Sequence, residues 1–283
     1  MDAPAKVKEN GPDHWRIPPL QADGHKYTRG AALVFGGAVM TGASRLSALA
    51  AARAGAGLVT LAAPEVAWPI YAASLLSVIA RPLAGVEDWN ALVADTKTRA
   101  ILIGPGAGRD ALPHAALATA LRSGEPTVLD ADALGMLAAD AGLRALATPS
   151  PYGETRILTP HEGEYAQLAA ALGLDTAADK PTRALALAQA LHAVVVLKGE
   201  DTMIASPDGR VLVNHAHAPW LATGGTGDVL AGIITGLLAQ GMDAFDAACA
   251  GVWIHGETAQ KLGRGMLAED LLGEIPGVLR GIA

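Results

Sequence analysis

The feature that most constrains this chain is a repeated pairing of a short apolar run, ending at a turn-forming or polar residue, with an alanine-rich stretch of helical composition. The runs 31–35, 58–62, 100–103, 127–129, 156–158 and 194–197 read as strands, and the stretches 41–56, 113–123, 163–172 and 182–191 as the helices between them. This rhythm predicts an α/β fold with a mainly parallel central sheet. In such sheets ligands bind just beyond the carboxyl ends of the strands, so the segments that follow the strands are the ones to read for chemistry. A β-hairpin is predicted where Pro207-Asp208-Gly209 separates 202–204 from 211–213, because Asp-Gly between apolar runs is a strong turn signal. Beyond it, 229–240, 244–262 and 269–279 read as a helical layer over the sheet.

Composition narrows the alternatives. With 283 residues and 51% hydrophobic side chains, one large domain is expected. The 33 glycines suit close helix-on-sheet packing, and two Phe with four Tyr argue against an aromatic-rich β-sandwich. A net charge of −7 without a basic cluster speaks against a nucleic-acid partner, so any anionic ligand must be held locally. A lone cysteine, Cys249, excludes an internal disulfide and a cysteine zinc cage, and fits a reducing compartment. Residues 1–24 are expected to form a loose polar leader without a signal-peptide core. The apolar stretch 229–239 is interrupted by Gly232 and Gly236 and falls short of the ~20 residues that span a bilayer. A cytoplasmic protein without membrane contact is expected.

The strongest chemical signal is Gly224-Gly225-Thr226-Gly227-Asp228, small residues that open an apolar helix. Glycines let a ligand approach the backbone, and the unpaired N–H groups of a first helical turn form an anion site, for which phosphate is the natural occupant. Asp228 in that turn has the position to accept a proton from a hydroxyl undergoing phosphorylation. A tight turn with Asp228 merely complementing the helix dipole is the plainer alternative. The run is not a Walker A loop, which needs Lys then Ser or Thr after the last glycine, and no βαβ unit follows to make it a dinucleotide fingerprint.

Other strand ends carry weaker signals. Lys198, after the strand 194–197, is placed for a nucleotide phosphate or ribose, or is simply a solvated strand end. His161, in Thr159-Pro160-His161-Glu162-Gly163-Glu164, either bonds a substrate amide or hydroxyl or is structural, in a segment where Thr159 or Pro160 starts a helix. Glu162 and Glu164 favour that helix start. Asp132, in Leu129-Asp130-Ala131-Asp132, reads as a helix cap, and Gly55 as a C-cap. Two glycine turns, Gly36-Gly37 and Gly104-Pro105-Gly106-Ala107-Gly108, put bare backbone at the functional edge of the sheet.

Taken in order, Gly36-Gly37, Thr41-Gly42-Ala43, Arg53 to Val59, Gly104 to Gly108, Asp130 to Leu134, Thr159 to Glu164, Lys198-Gly199 with Thr202, and the Gly-Gly-Thr-Gly-Asp run resemble the ADP-dependent NAD(P)H-hydrate dehydratases, ribokinase-like enzymes that repair hydrated NADH and NADPH. The resemblance covers the chain from about His25 to the end. It implies a ribokinase-like three-layer αβα sandwich over residues 25–283, without the fused epimerase domain of longer members. It also implies roles. Ala43, Gly106, Gly108 and His161 would contact the hydrated nicotinamide nucleotide, NADHX or NADPHX. Lys198, Gly199, Glu200, Asp201 and Thr202, with Gly225, Thr226 and Gly227, would hold the adenine nucleotide, and Asp228 would face the hydroxyl of the hydrate as the catalytic group. ADP is the implied phosphoryl donor, with ATP as the alternative, magnesium alongside and a homotetrameric assembly. Where the resemblance implies a glycine-asparagine-proline-like approach to the glycine run, this chain departs with His217-Ala218-Pro219-Trp220, and Trp220 reads as a packing residue or a base-stacking one. A vitamin or sugar kinase of the same superfamily is the nearest rival, and a nucleotide-binding regulator without turnover a more distant one.

Overall fold

Every predicted strand is present, and the two that patterning does not mark lie at the two edges of the sheet. The structure is a computed structural model that describes residues 7–19, 24–95, 97–147, 155–215 and 218–282. In chain order its elements are β1 (Lys8–Glu9), β2 (Ala31–Phe35), α1 (Thr41–Arg53), β3 (Leu58–Pro64), α2 (Trp68–Ser74), β4 (Ile79–Leu83), α3 (Val86–Val93), β5 (Thr98–Ile103), α4 (Ala111–Ser123), β6 (Thr127–Leu129), α5 (Asp132–Ala139) and α6 (Ala141–Ala147). They continue with β7 (Arg156–Leu158), α7 (Glu162–Leu172), α8 (Lys180–Leu191), β8 (Val194–Leu197), β9 (Asp201–Ala205), β10 (Val211–His215), α9 (Thr226–Ala239), α10 (Ala244–Leu262) and α11 (Ala268–Arg280). The strand order is β1-β10-β9-β8-β7-β6-β5-β2-β3-β4, parallel throughout except for the hairpin strand β9. Edge strand β4 carries Arg81 and Pro82 in succession, as an edge strand can, and β1 is only two residues long, so neither gives an apolar run.

Two apolar layers sandwich the sheet. One joins alternate strand residues to α1, α2 and α9 to α11, and the other to α3 through α8. Helix α9 lies against α1 at the closest range the backbone permits: a Cβ on Gly232 would run into the Ser47 carbonyl, and one on Gly236 into the Ala51 carbonyl. This approach fixes the N-terminus of α9 relative to the start of α1, and Ser47 Oγ bonds the Asp228 carbonyl at 2.9 Å across the joint. Gly236→Val should therefore lower stability by about 3 kcal/mol, as overpacking does, read as an early midpoint in urea.

The expected loose leader is corrected over its described part, residues 7–19. β1 pairs with β10, and the buried Asn10 amide donates to Asn214 Oδ1 at 2.9 Å and to the Cys249 carbonyl at 2.8 Å. Trp15 is buried edge-on against Trp253, with ring centroids 5.8 Å apart. Two anchors in a polar stretch suffice to dock it, because a buried indole removes a large apolar area from water.

Chain order and sheet order diverge at one place. The chain runs outward through β2, β3 and β4, then returns to lay β5 on the other side of β2 and continues through β6, β7 and β8. This is the switch point where open α/β sheets bind ligands.

Candidate active site

Both early glycine turns meet at the switch point. A Cβ on Gly37 would collide with the Gly106 carbonyl, and Gly106 itself sits at φ +62, so neither position accepts a side chain. Ser44 stitches the two turns together: its Oγ donates to the Pro105 carbonyl at 2.8 Å and lies 3.4 Å from Gly37 N–H. The Tyr71 hydroxyl donates to the Gly37 carbonyl at 2.7 Å. Ala43, in the first turn of α1, is buried against Gly106. Gly108 faces open space, and its N–H donates to Asp132 Oδ2 at 2.9 Å. Asp132 is thus not the expected helix cap. Its carboxylate ties down the Gly106–Gly108 turn and pairs with Arg109 at 3.1 Å, while Ala131 occupies the N-cap position at φ 47.

The Gly-Gly-Thr-Gly-Asp run does open a helix. Gly225 is the N-cap in the left-handed region, at φ 91, and Asp228 stands in the first turn. Val229 N–H is the first to find a backbone acceptor, the Gly225 carbonyl at 3.2 Å. Among the described residues those of Thr226, Gly227 and Asp228 have none, so the helix start leaves three donors open to an anion. The Thr226 hydroxyl is spent on the turn itself, donating to the Leu221 and Thr223 carbonyls at 2.8 and 3.0 Å.

Opposite this turn lies an ion pair that sequence reasoning missed. Lys198 Nζ donates to Asp130 Oδ1 at 2.9 Å, with Glu164 Oε2 at 4.0 Å, so Lys198 is not a solvated strand end. Asp130 is 2% exposed. A Cβ on Gly227 would stand 3.4 Å from Lys198 Nζ, which places the ammonium at the N-terminus of α9. Burial alone would push Lys198 down, but Asp130 chiefly, then Glu164 and Asp228, hold it above the usual lysine range and keep it charged. Asp228 is pushed up to about 6, first by burial and then by the negative charge of Asp130, with Lys198 opposing. A carboxylate so poised is a general base suited to neutral pH.

His161 sits at the same edge with a defined tautomer. It, rather than Thr159 or Pro160, starts α7 as its N-cap, and its Nδ1 accepts from Gly163 and Glu164 N–H at 3.0 and 3.2 Å. With Nδ1 an acceptor, neutral His161 carries its proton on Nε2, which lies 3.6 Å from Glu164 Oε1 on an exposed side chain and can donate to a ligand. Glu164 closes the capping box on His161 N–H at 2.9 Å, whereas Glu162 turns away to Arg183 at 2.7 Å. In the next segment Thr202 Oγ1 donates to the Gly199 carbonyl at 3.0 Å and Asp201 meets His215 at 2.6 Å, while Glu200 is exposed. Trp220 packs, its indole N–H donating to the Ala259 carbonyl at 2.8 Å, and His217 lies outside the described residues. His255, another residue the sequence did not single out, is buried beneath α9 and pushed down to about 4, chiefly by burial, hence neutral.

Glycine turns at a switch point, a helix N-terminus with free N–H groups, and a carboxylate beside a buried Lys–Asp pair make an arrangement that can bind a phosphate and accept a proton. Comparison with known proteins shows the family. A family model described as NAD(P)H-hydrate dehydratase matches residues 31–276. The chain belongs to the NAD(P)H-hydrate dehydratase family. It is 39% identical to the ADP-dependent (S)-NAD(P)H-hydrate dehydratase of Neisseria meningitidis over 91% of this chain and 86% of that one. It spans about half the length of other relatives, covering 52% of the bifunctional NAD(P)H-hydrate repair enzyme of Moorella thermoacetica at 39% identity and 94% of its own length. Among solved structures, the ADP/ATP-dependent NAD(P)H-hydrate dehydratase of Bacillus subtilis, co-crystallised with ATP and magnesium, superposes with a TM-score of 0.83 at 30% identity, covering 98% of this chain and 99% of that one. A ribokinase-like superfamily protein of Enterococcus faecalis gives 0.85 at 25% identity, covering 98% and 96%. The family's fold is thus the ribokinase-like αβα sandwich seen here, and no helix among the described residues is long and apolar enough to cross a membrane.

Proposed function

We infer that this chain dehydrates the (S)-hydrates of NADH and NADPH, using ADP as phosphoryl donor and releasing AMP and phosphate. The observation that carries this reading is the first turn of α9, where Asp228 and three unpartnered N–H groups stand beside the Lys198–Asp130 pair. Hydroxide is a poor leaving group. Asp228 takes the proton of the ring hydroxyl as its oxygen attacks the terminal phosphorus of ADP, and AMP departs. The N–H groups of Thr226 to Asp228 and the Lys198 ammonium stabilise the charge on the transferring phosphoryl group. The C–O bond then breaks with the electron pair leaving on phosphate, the ring-nitrogen lone pair assisting, and loss of a proton from the neighbouring carbon restores the dihydropyridine.

In this reading the hydrated ring lies over the Ala43, Gly106 and Gly108 turn within reach of His161 Nε2–H, and the adenine nucleotide runs along Lys198, Gly199, Glu200, Asp201 and Thr202 to Gly225, Thr226 and Gly227. No group of three or more His, Cys, Asp or Glu side chains among the described residues is placed to hold a metal ion, and the nearest carboxylates, Asp130 and Glu164, face Lys198. Magnesium fits only as an ion carried by the nucleotide's own phosphates and water, where it would shield their charge. A homotetramer in the cytoplasm is the setting that goes with this reading.

The base assignment has a pH consequence. Asp228 must be ionised to act, so kcat/KM should fall about tenfold per pH unit below about pH 6 and level off above it. A flat profile between pH 5 and 8, with the enzyme still folded, would remove Asp228 as the base.

A further inference from the structure

Lys180 stands where a lysine costs the fold stability. It is the first residue of α8, directly behind the N-cap Asp179, so its charge opposes the positive end of the helix dipole. Its side chain is only 18% exposed, and burial, opposed by Glu162 and Asp201, pushes the ammonium below the usual lysine range. A charge kept against both burial and the dipole points to function rather than to stability.

The contacts of the ammonium say what it does. Nζ donates to the Asp201 carbonyl at 2.6 Å and to the Lys198 carbonyl at 3.3 Å, drawing both ends of the turn between β8 and β9 onto one point. A Cβ on Gly199 would collide with the same Nζ, so the ammonium fills the space beside the turn and only a glycine admits it. On its other side the turn is tied to the start of α7. Lys198 N–H donates to the Pro160 carbonyl at 2.8 Å. Lys180 Nζ itself lies 3.7 Å from Glu162 Oε1, on a carboxylate that Arg183 holds with two bonds of 2.7 and 3.2 Å. The Lys198 backbone is thus held at its N–H and at its carbonyl, which aims its side chain at Asp130 and the N-terminus of α9.

We propose that Lys180 is a positioning residue of the nucleotide site, shaping the Lys198–Thr202 turn for ADP through the two carbonyls it holds. The proposal rests on the reading of Lys198 to Thr202 as the nucleotide-holding segment. It gives the Glu162–Arg183 pair a purpose as well: these two side chains anchor the ammonium, and with it the turn, to the helix that begins at His161. Displacing such a support by about 1 Å is enough to cost binding and rate at a site it does not touch.

The test is calorimetric binding of ADP and steady-state kinetics on NADHX, with thermal midpoints to verify folding. It compares the full chain with Lys180→Met, Lys180→Arg, Gly199→Ala and the double variant that joins Lys180→Met to Gly199→Ala. Loss of the two bonds that shape the turn should weaken ADP binding about tenfold in Lys180→Met and leave the KM for NADHX unchanged. Lys180→Arg keeps the charge and the donors and should recover most of the affinity. Gly199→Ala should show the loss of Lys180→Met, because its Cβ displaces the ammonium, and it carries the test alone if Lys180→Met does not fold. The double variant should lose no more than either single one: the methionine ends where Lys180 Cε stands, 3.8 Å from that Cβ, and leaves room for it. Unchanged ADP affinity in the folded variants, losses that add in the double variant, or a rise in both KM values together would overturn the proposal and leave the dehydratase reading intact. Absence of ADP binding to the wild type would overturn the nucleotide reading itself.

Discussion

Asp228→Asn should lower kcat by about 10²- to 10⁴-fold, the range by which a positioned general base accelerates proton transfer, while ADP still binds. The amide keeps the shape of the carboxylate and cannot take the hydroxyl proton. The loss should come without a loss of stability, and this separates a catalytic group from a structural one. Asp228 titrates at about 6 in the folded chain, above the ordinary aspartate value of 3.8, so ionising it is harder in the folded than in the unfolded state. Its contribution to stability is therefore greatest below the unfolded value and is lost as pH rises through about 6. At pH 7 the wild type bears this cost in full and the neutral amide does not, so Asp228→Asn should melt no earlier than wild type. Single-turnover kinetics with ADP and the hydrate, alongside thermal unfolding, measure both. Wild-type turnover in the variant would end the assignment.

Lys198→Met should be costly in a different way. It strands the Asp130 carboxylate, 2% exposed and bonded to the ammonium at 2.9 Å, with no second cation paired to it among the described residues. Breaking a buried pair by removing one partner costs about 3–5 kcal/mol, so the variant should lose a large part of the stability expected of a domain. Activity should fall further than stability accounts for, because the ammonium also faces Gly227 and the phosphates expected there. Removing both charges, Lys198→Met with Asp130→Asn, should restore much of the stability and none of the turnover. Urea titration of the single and double variants gives the coupling between the two side chains. Stability restored together with activity would make the pair purely structural.

How far the sequence was legible depended on the range of the interactions involved. The interior strands were readable because each is largely an apolar run, and the start of α9 because Gly225 to Asp228 encode it within a single turn. Edge strand β4 was not, since Arg81 and Pro82 break its pattern where one side has no neighbour. Docking of the leader depended on Asn10 meeting Asn214 and Cys249, contacts that no local pattern announces. Lys198 and Asp130 stand 68 positions apart and were read separately as strand-end charges. One signal was available: a lysine and an aspartate following two strands of one parallel sheet must emerge on the same edge. Asp132 was misread as a cap because its partners, Gly108 and Arg109, lie on another crossover. His161 was legible in position but not in detail, since its Nδ1 serves the helix and only Nε2 remains for a ligand.

In the proposed reaction, phosphorylation of the hydrate's hydroxyl, with Asp228 as the base, is a step toward elimination rather than the end. Incubating the protein with NADHX and ADP, while following reduced-nicotinamide absorbance and the fate of the terminal phosphate, tests it most directly. The expected result is recovery of NADH absorbance with one AMP and one free phosphate for each NADH formed. A stable phosphorylated product without recovered absorbance would contradict it and make the chain a kinase.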